Sequence, residues 1–142
     1  MLELANRYRN EAEQCLASES YIAGLVSVRA ALEAALVARY LLELFEWSEE
    51  ELNIYGFHVD EDQGLLENVS LPVLKDLIEQ AYTDKLITKL GRDAAHRIRE
   101  WGNKIHPERI AGQESLPRIG RRNLQARLKD LDLVLDQLVR TL

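Results

Sequence analysis

The stretch Leu124-Gln125-Ala126-Arg127-Leu128-Lys129-Asp130-Leu131-Asp132-Leu133-Val134-Leu135-Asp136-Gln137-Leu138 places leucine at 124, 128, 131, 135 and 138, and Leu142 extends the series. Steps of 4, 3, 4, 3 and 4 bring these leucines to one side of an α-helix; a strand, which repeats every second residue, would scatter them over both faces. The spacing predicts a long last helix over about 121–141. Its leucine seam is read as a stripe of a bundle core in preference to an exposed coiled coil.

The same period recurs upstream. Residues 2–17 read as a first amphipathic helix ending near Ser18-Glu19-Ser20, and Ser20 is a suitable N-cap for a second helix from Tyr21 to about Phe45. That second helix is crowded with small and apolar residues (Ala30-Ala31-Leu32, Ala34-Ala35-Leu36-Val37-Ala38), which predicts burial on most sides. Arg29 with Glu33 and Arg39 with Glu43 are opposite charges one turn apart. Ser48-Glu49-Glu50-Glu51 has capping-box spacing, whereas residues 54–70 show no periodicity and read as a packed or mobile loop. Ser70 suits the start of a third helix over 71–82, with Pro72 in its first turn. Asp84 suits the start of a fourth, which Pro107 stops. No strand pattern of useful length and no internal repeat appears. The expected fold is all-α, a single-domain bundle of four to five helices over 1–142.

Composition narrows the function classes. The 142 residues suit one domain, and 46% hydrophobic with 30% charged residues is the balance of a globular chain. Seven glycines and three prolines exclude collagenous or low-complexity structure. A single cysteine, Cys15, excludes a disulfide framework and cysteine zinc sites; it reads as a small buried hydrophobe. Arg29, Glu33, Arg39 and Glu43 interrupt the longest apolar run, so no membrane span is expected, and the first residues lack a signal-peptide pattern. A cytoplasmic protein with no membrane partner is the expectation. The net charge of −6 is unevenly spread: residues 1–70 carry −10 and residues 71–142 carry +4. Within 85–129 the balance is +8, enough to attract a polyanion or, more plainly, to solvate a helix face.

The fourth helix carries the candidate chemistry. At about 100° per residue, Leu86, Leu90, Ala94, Ile98, Trp101 and Ile105 share one side, the expected core face. Nearly opposite lie Arg92, His96, Arg99, Asn103 and His106. Arg99 and His106 are two turns apart, so their side chains project the same way. A histidine with a near-neutral pKa is a competent general acid or base, and an arginine beside it can stabilise a phosphorane-like transition state. Together they could cleave RNA without metal, with Asn103, one turn from each, orienting the histidine or holding a phosphate oxygen.

The segment Ile98-Arg99-Glu100-Trp101-Gly102-Asn103-Lys104-Ile105-His106 resembles the signature of the HEPN superfamily (higher eukaryotes and prokaryotes nucleotide-binding domain), an arginine followed four to six residues later by a histidine. Gly102-Asn103 within the gap is similar to one branch of unknown function, often met beside restriction and defence components. Leu74-Lys75-Asp76-Leu77-Ile78 and Ala30-Ala31-Leu32-Glu33-Ala34-Ala35-Leu36 also resemble segments of that branch. The resemblance implies a bundle that dimerises and brings two motifs together at a cleft. It implies that residues matching Arg99 and His106 carry metal-independent RNA cleavage in active members, leaving 2′,3′-cyclic phosphate. Glu100 departs from the active pattern, in which Asn, Asp or His often follows the arginine.

Two functional readings follow. In the first, the chain binds RNA and, in its catalytic form, cleaves it at a dimer cleft, in a defence or toxin–antitoxin setting. Arg99, His106 and Asn103 would then be catalytic, and Arg92, His96 and Lys104 would contact RNA. In the second, it is a non-catalytic dimerisation or interaction module of a defence or restriction system. A homodimer is expected in both, with a cognate antitoxin or a nucleotidyltransferase-type protein as further partner. No cofactor and no metal is expected. His58 with Asp60, Glu61 and Asp62 matches no calcium or zinc spacing and reads as a solvated acidic loop. Trp47 and Trp101 read as core anchors, and the isolated glycines exclude a phosphate-binding P-loop.

Overall fold

The computed structural model describes residues 2–44, 48, 50, 58–60, 65–67, 73–106 and 118–142. Five helices make the body: α1 (Glu3–Ala17), α2 (Tyr21–Leu44), α3 (Leu74–Thr83), α4 (Lys89–Lys104) and α5 (Arg121–Arg140). The all-α bundle expected from the leucine and alanine periodicities is what these helices form. A short antiparallel ladder, β1 (His58–Asp60) with β2 (Leu65–Glu67), pairs His58 with Glu67 and Asp60 with Leu65. It corrects the reading of 54–70 as plain loop; three-residue strands are too short to leave a periodic trace in sequence. Glu49 and Glu51 of the capping box, Trp47, residues 61–62 of the acidic cluster, the Glu43 side chain, Ser70, Pro72 and Pro107 lie outside the described residues.

Helix α2 is the axis, packing against each of the other four helices. That is why it is apolar nearly all round: Leu25, Val28, Ala31, Leu32, Ala35 and Leu36 are buried. By length and composition alone, Tyr21–Tyr40 is also long and apolar enough to cross a membrane, which the interrupting charges were expected to prevent. Core packing accounts for the part of that apolarity carried by Leu25, Val28, Leu32 and Leu36, while Ile22 and Val26 are exposed. Gly24 sets the closest approach, since a Cβ there would strike Leu124 of α5 and meet Cys15 of α1 at 3.2 Å. Cys15 itself is half-buried, a partial departure from the buried reading. The seam of α5 faces inward as expected: Leu124, Leu128, Leu131, Leu135 and Leu138 are buried, while Leu142 lies past the helix end and is exposed.

The boundary between α3 and α4 differs from the sequence reading. Asp84 does not start α4; it ends α3, where its carboxylate accepts from Tyr40 Oη at 3.1 Å and Gln80 Nε2 at 3.0 Å. Lys85 follows with φ 60°, and Leu86 N–H donates to Ala81 O at 2.9 Å while Lys85 N–H donates to Tyr82 O at 3.1 Å. These are the paired bonds of a Schellman end. Helix α4 then starts three residues later, capped by Thr88 Oγ1, which accepts from Gly91 N–H at 3.3 Å. Leu90, expected in the core, lies in the first turn of α4 and is 70% exposed, whereas Leu86, Ala94, Ile98 and Ile105 are buried as expected.

Lys85 holds a left-handed backbone that costs a non-glycine residue about 1 kcal/mol, and glycine occupies it without that strain. Lys85→Gly is expected to stabilise the chain by about 0.5–1 kcal/mol, read as a higher urea midpoint with an unchanged slope.

Candidate functional site

Helix α4 is amphipathic, and its polar side chains meet three different neighbours. The first is α3. Glu79 Oε1 accepts from Arg92 Nε at 3.0 Å and pairs with His96 Nε2 at 2.7 Å. Arg99 Nε–H donates to His96 Nδ1 at 3.2 Å. An arginine N–H has only a lone pair to donate to, so these partners assign the histidine proton to Nε2, from which it is donated to Glu79. The Arg92 guanidinium also lies over the Tyr82 ring, 4.8 Å from its centre. Arg99 NH2 is 3.8 Å from Glu100 Oε1, too long for a hydrogen bond. Glu79, His96, Arg99 and Glu100 open onto a cleft of about 410 Å³ between α3 and α4, which Lys75 and Arg97 also line.

The second neighbour is α2. Arg29 NH1 donates to Asn103 Oδ1 at 3.0 Å, and its Nε lies 3.7 Å from Glu33. Gly102 makes this possible. A Cβ at Gly102 would lie 2.6 Å from Arg29 Cδ and 3.0 Å from its NH1, so the arginine lies directly across the α4 backbone. Arg29, Glu33, Gly102 and His106 line a second cleft of about 280 Å³, walled by Val26, Ala30 and Ile105. His106 follows the C-cap, Ile105, and its N–H donates to Asn103 O at 3.2 Å.

The third neighbour is α5. Asp130 is buried and accepts from Arg97 through Nε at 3.1 Å and NH2 at 2.8 Å, and from Arg127 Nε at 2.8 Å. The Asp130 carboxylate holds the Arg97 pKa above its ordinary value, chiefly through that hydrogen bonding. Lys104 Nζ lies 4.2 Å from the centre of the half-buried Trp101 ring, and the Arg127 guanidinium lies 5.8 Å from it. Trp101 thus packs against the core, as expected, with cations beside its ring.

The structure therefore joins Arg92, His96 and Arg99 around Glu79, joins Asn103 to Arg29, and sets Lys104 on Trp101. Arg99 and His106 line different clefts. Sequence reasoning missed Glu79 and Arg29 as partners of the stripe. For Arg29 there was a usable signal: a glycine inside a helical pattern marks a close approach, here beside the asparagine that receives the arginine. For Glu79 there was none, since one acid on an amphipathic helix looks like any solvated residue. Among the described residues no group of three metal-ligating side chains occurs.

His96 and, after a smaller opposing effect of burial, Arg92 hold the Glu79 carboxyl below the usual glutamate value of 4.5. A lowered folded-state pKa adds stability that is present above the unfolded value and lost as pH falls through the folded one. Glu79→Gln is therefore expected to be less stable than wild type at neutral pH. The gap should close as pH drops below the glutamate range, a trend that urea titrations at stepped pH would trace.

No family model, curated protein or solved structure matches this chain.

Proposed function

We propose that the chain is a HEPN-like helical module that works by association, a non-catalytic dimerisation and interaction domain of a defence or restriction system. The observation that carries this reading is the use of the α4 polar stripe. Metal-free cleavage of a phosphodiester needs a base and a stabilising cation converging on one phosphate. Within one chain, Arg99 is turned to His96 in the α3–α4 cleft, while His106 lines the cleft beside Arg29. Stripe residues that a nuclease would aim at substrate instead tie α4 to α3 and α2. The defence setting and the homodimer come from the resemblance of Ile98–His106 to the HEPN signature.

Purified protein incubated with mixed RNA in EDTA, beside His106→Ala, tests the reading. Neither protein is expected to generate 2′,3′-cyclic phosphate ends, and sedimentation at micromolar concentration is expected to give a dimer. Cleavage by wild type that disappears in His106→Ala would restore the ribonuclease reading. A monomer at every concentration would remove dimerisation.

A further inference from the structure

We infer that the amino-terminal half of α5 is a docking strip for the phosphate backbone of a nucleic acid, separate from the α4 stripe. The sequence from Arg118 to Lys129 contains no acidic residue and five basic ones. One of them, Arg127, is bound to Asp130. The other four, Arg118, Arg121, Arg122 and Lys129, are exposed, and among the described residues none of their side chains makes an ion pair. Within α5, Arg121, Gln125, Lys129 and Arg122 fall inside about 100° of the helix circumference. Gln125, Lys129 and Arg122 lie off the buried leucine seam, and Arg121, in line with Leu124 and Leu128, is exposed one turn before the seam begins. Arg121 and Lys129 are about 12 Å apart along the axis at 1.5 Å per residue. Arg118 is drawn to the same end, because its carbonyl accepts from Asn123 Nδ2 at 3.1 Å. Gly120 offers no side chain to cap α5, so the positive end of the helix dipole adds to the same potential.

The contrast with α4 gives the strip its meaning. The basic residues first expected to contact RNA are occupied: Arg92 and His96 share Glu79, and Lys104 lies on Trp101. Among the described residues the counter-charges flanking the strip are few. Asp132, one turn beyond Lys129, is held by Arg9 through two bonds, and Asp136 is held by Arg140. Glu19 shares a neighbouring cleft with Ile119. A chain with a net charge of −6 that keeps four cations together in one strip presents a local attraction for a polyanion against its overall charge. An anionic membrane is the poorer fit, because a surface-binding helix buries an apolar face in lipid and the apolar face of α5 is already spent on the core.

The test is fluorescence anisotropy of labelled oligo-deoxyuridine titrated with full-length protein at stepped salt. This probe lacks the 2′-hydroxyl, so its binding is read independently of any cleavage or dimerisation result. Four phosphate contacts at about 0.7 each predict a slope of log K against log salt of about −2.8. Arg121→Gln with Arg122→Gln should weaken binding roughly tenfold or more at low salt and bring the slope to about −1.4. Lys85→Gln with Lys89→Gln removes the same charge elsewhere and should leave both quantities near wild type. Circular dichroism confirms that both double variants fold. Equal losses in the two double variants would overturn the proposal. So would no binding by wild type, or binding confined to phosphatidylserine vesicles.

Discussion

Leu131→Ala is expected to cost about 2–5 kcal/mol, enough to remove much or all of the stability of a domain this size. Leu131 has no exposed surface and stands mid-seam on α5, a helix that packs against α2, α4 and α1. Removing its isobutyl end forfeits the transfer energy of the buried carbons and leaves a cavity the surrounding helices can only partly close. Equilibrium urea unfolding should show a lower midpoint with an unchanged slope, the signature of lost stability in a two-state domain. Leu142→Ala is the matched control. It belongs to the same series in sequence, yet it is 64% exposed beyond the helix end and should change stability by less than about 0.5 kcal/mol. A comparable loss in Leu142→Ala would mean that the seam continues against another surface, as an exposed coiled coil would require.

That contrast also marks how far the sequence could be read. A seam of leucines at spacings of 4 and 3 has one structural solution, and the structure adopts it from Leu124 to Leu138. The alanine-rich run in α2 likewise announced a helix surrounded by others. What the sequence hid were places where one residue type serves two purposes. Asp84 is a good N-cap by type, but Tyr40 and Gln80 claim its carboxylate, so it closes α3 instead. Local pattern sees only chain neighbours, and Tyr40 lies a whole helix away. The cap of α4 therefore falls on Thr88, four residues further on. No propensity scale would have anticipated it, since Lys85 takes a left-handed conformation usually reserved for glycine.

The candidate site divides in the same way. Periodicity correctly gathers Arg92, His96, Arg99, Asn103 and His106 on one side of α4, because the helix fixes their directions. It cannot say what each one meets, because that depends on which helix lies opposite. Glu79 on α3 takes the upper part of the stripe and Arg29 on α2 takes the lower part, which divides what looked like one constellation into two clefts. The Gly-Asn pair within the HEPN-like segment has a physical reading here. Glycine lets an arginine from α2 lie flat on α4, and asparagine accepts its hydrogen bond. Such a pair serves helix packing as directly as chemistry, which supports the proposed non-catalytic reading.

Asp130→Ala should be the most damaging polar substitution, at about 2–4 kcal/mol. The carboxylate is buried and receives three charge-assisted bonds from two arginines on different helices. Its removal strands the arginines unequally. Arg97 has a side chain 47% exposed and can rehydrate, whereas Arg127 is only 12% exposed and is left beside Trp101 with its charge uncompensated. The penalty therefore falls mainly on Arg127, and double-mutant cycles separate the two. The coupling of Asp130 to Arg127 should exceed its coupling to Arg97. Replacing both Arg127 and Asp130 by apolar residues of similar volume should recover most of the loss, because a buried ion pair costs desolvation that an apolar pair avoids. Asp130→Asn, which keeps an acceptor but not the charge, should fall between wild type and alanine. A loss below about 0.5 kcal/mol in Asp130→Ala would place the cluster among surface ion pairs of little consequence and leave α4 and α5 joined by apolar packing and by the hydrogen bonds between Gln137 and Thr88.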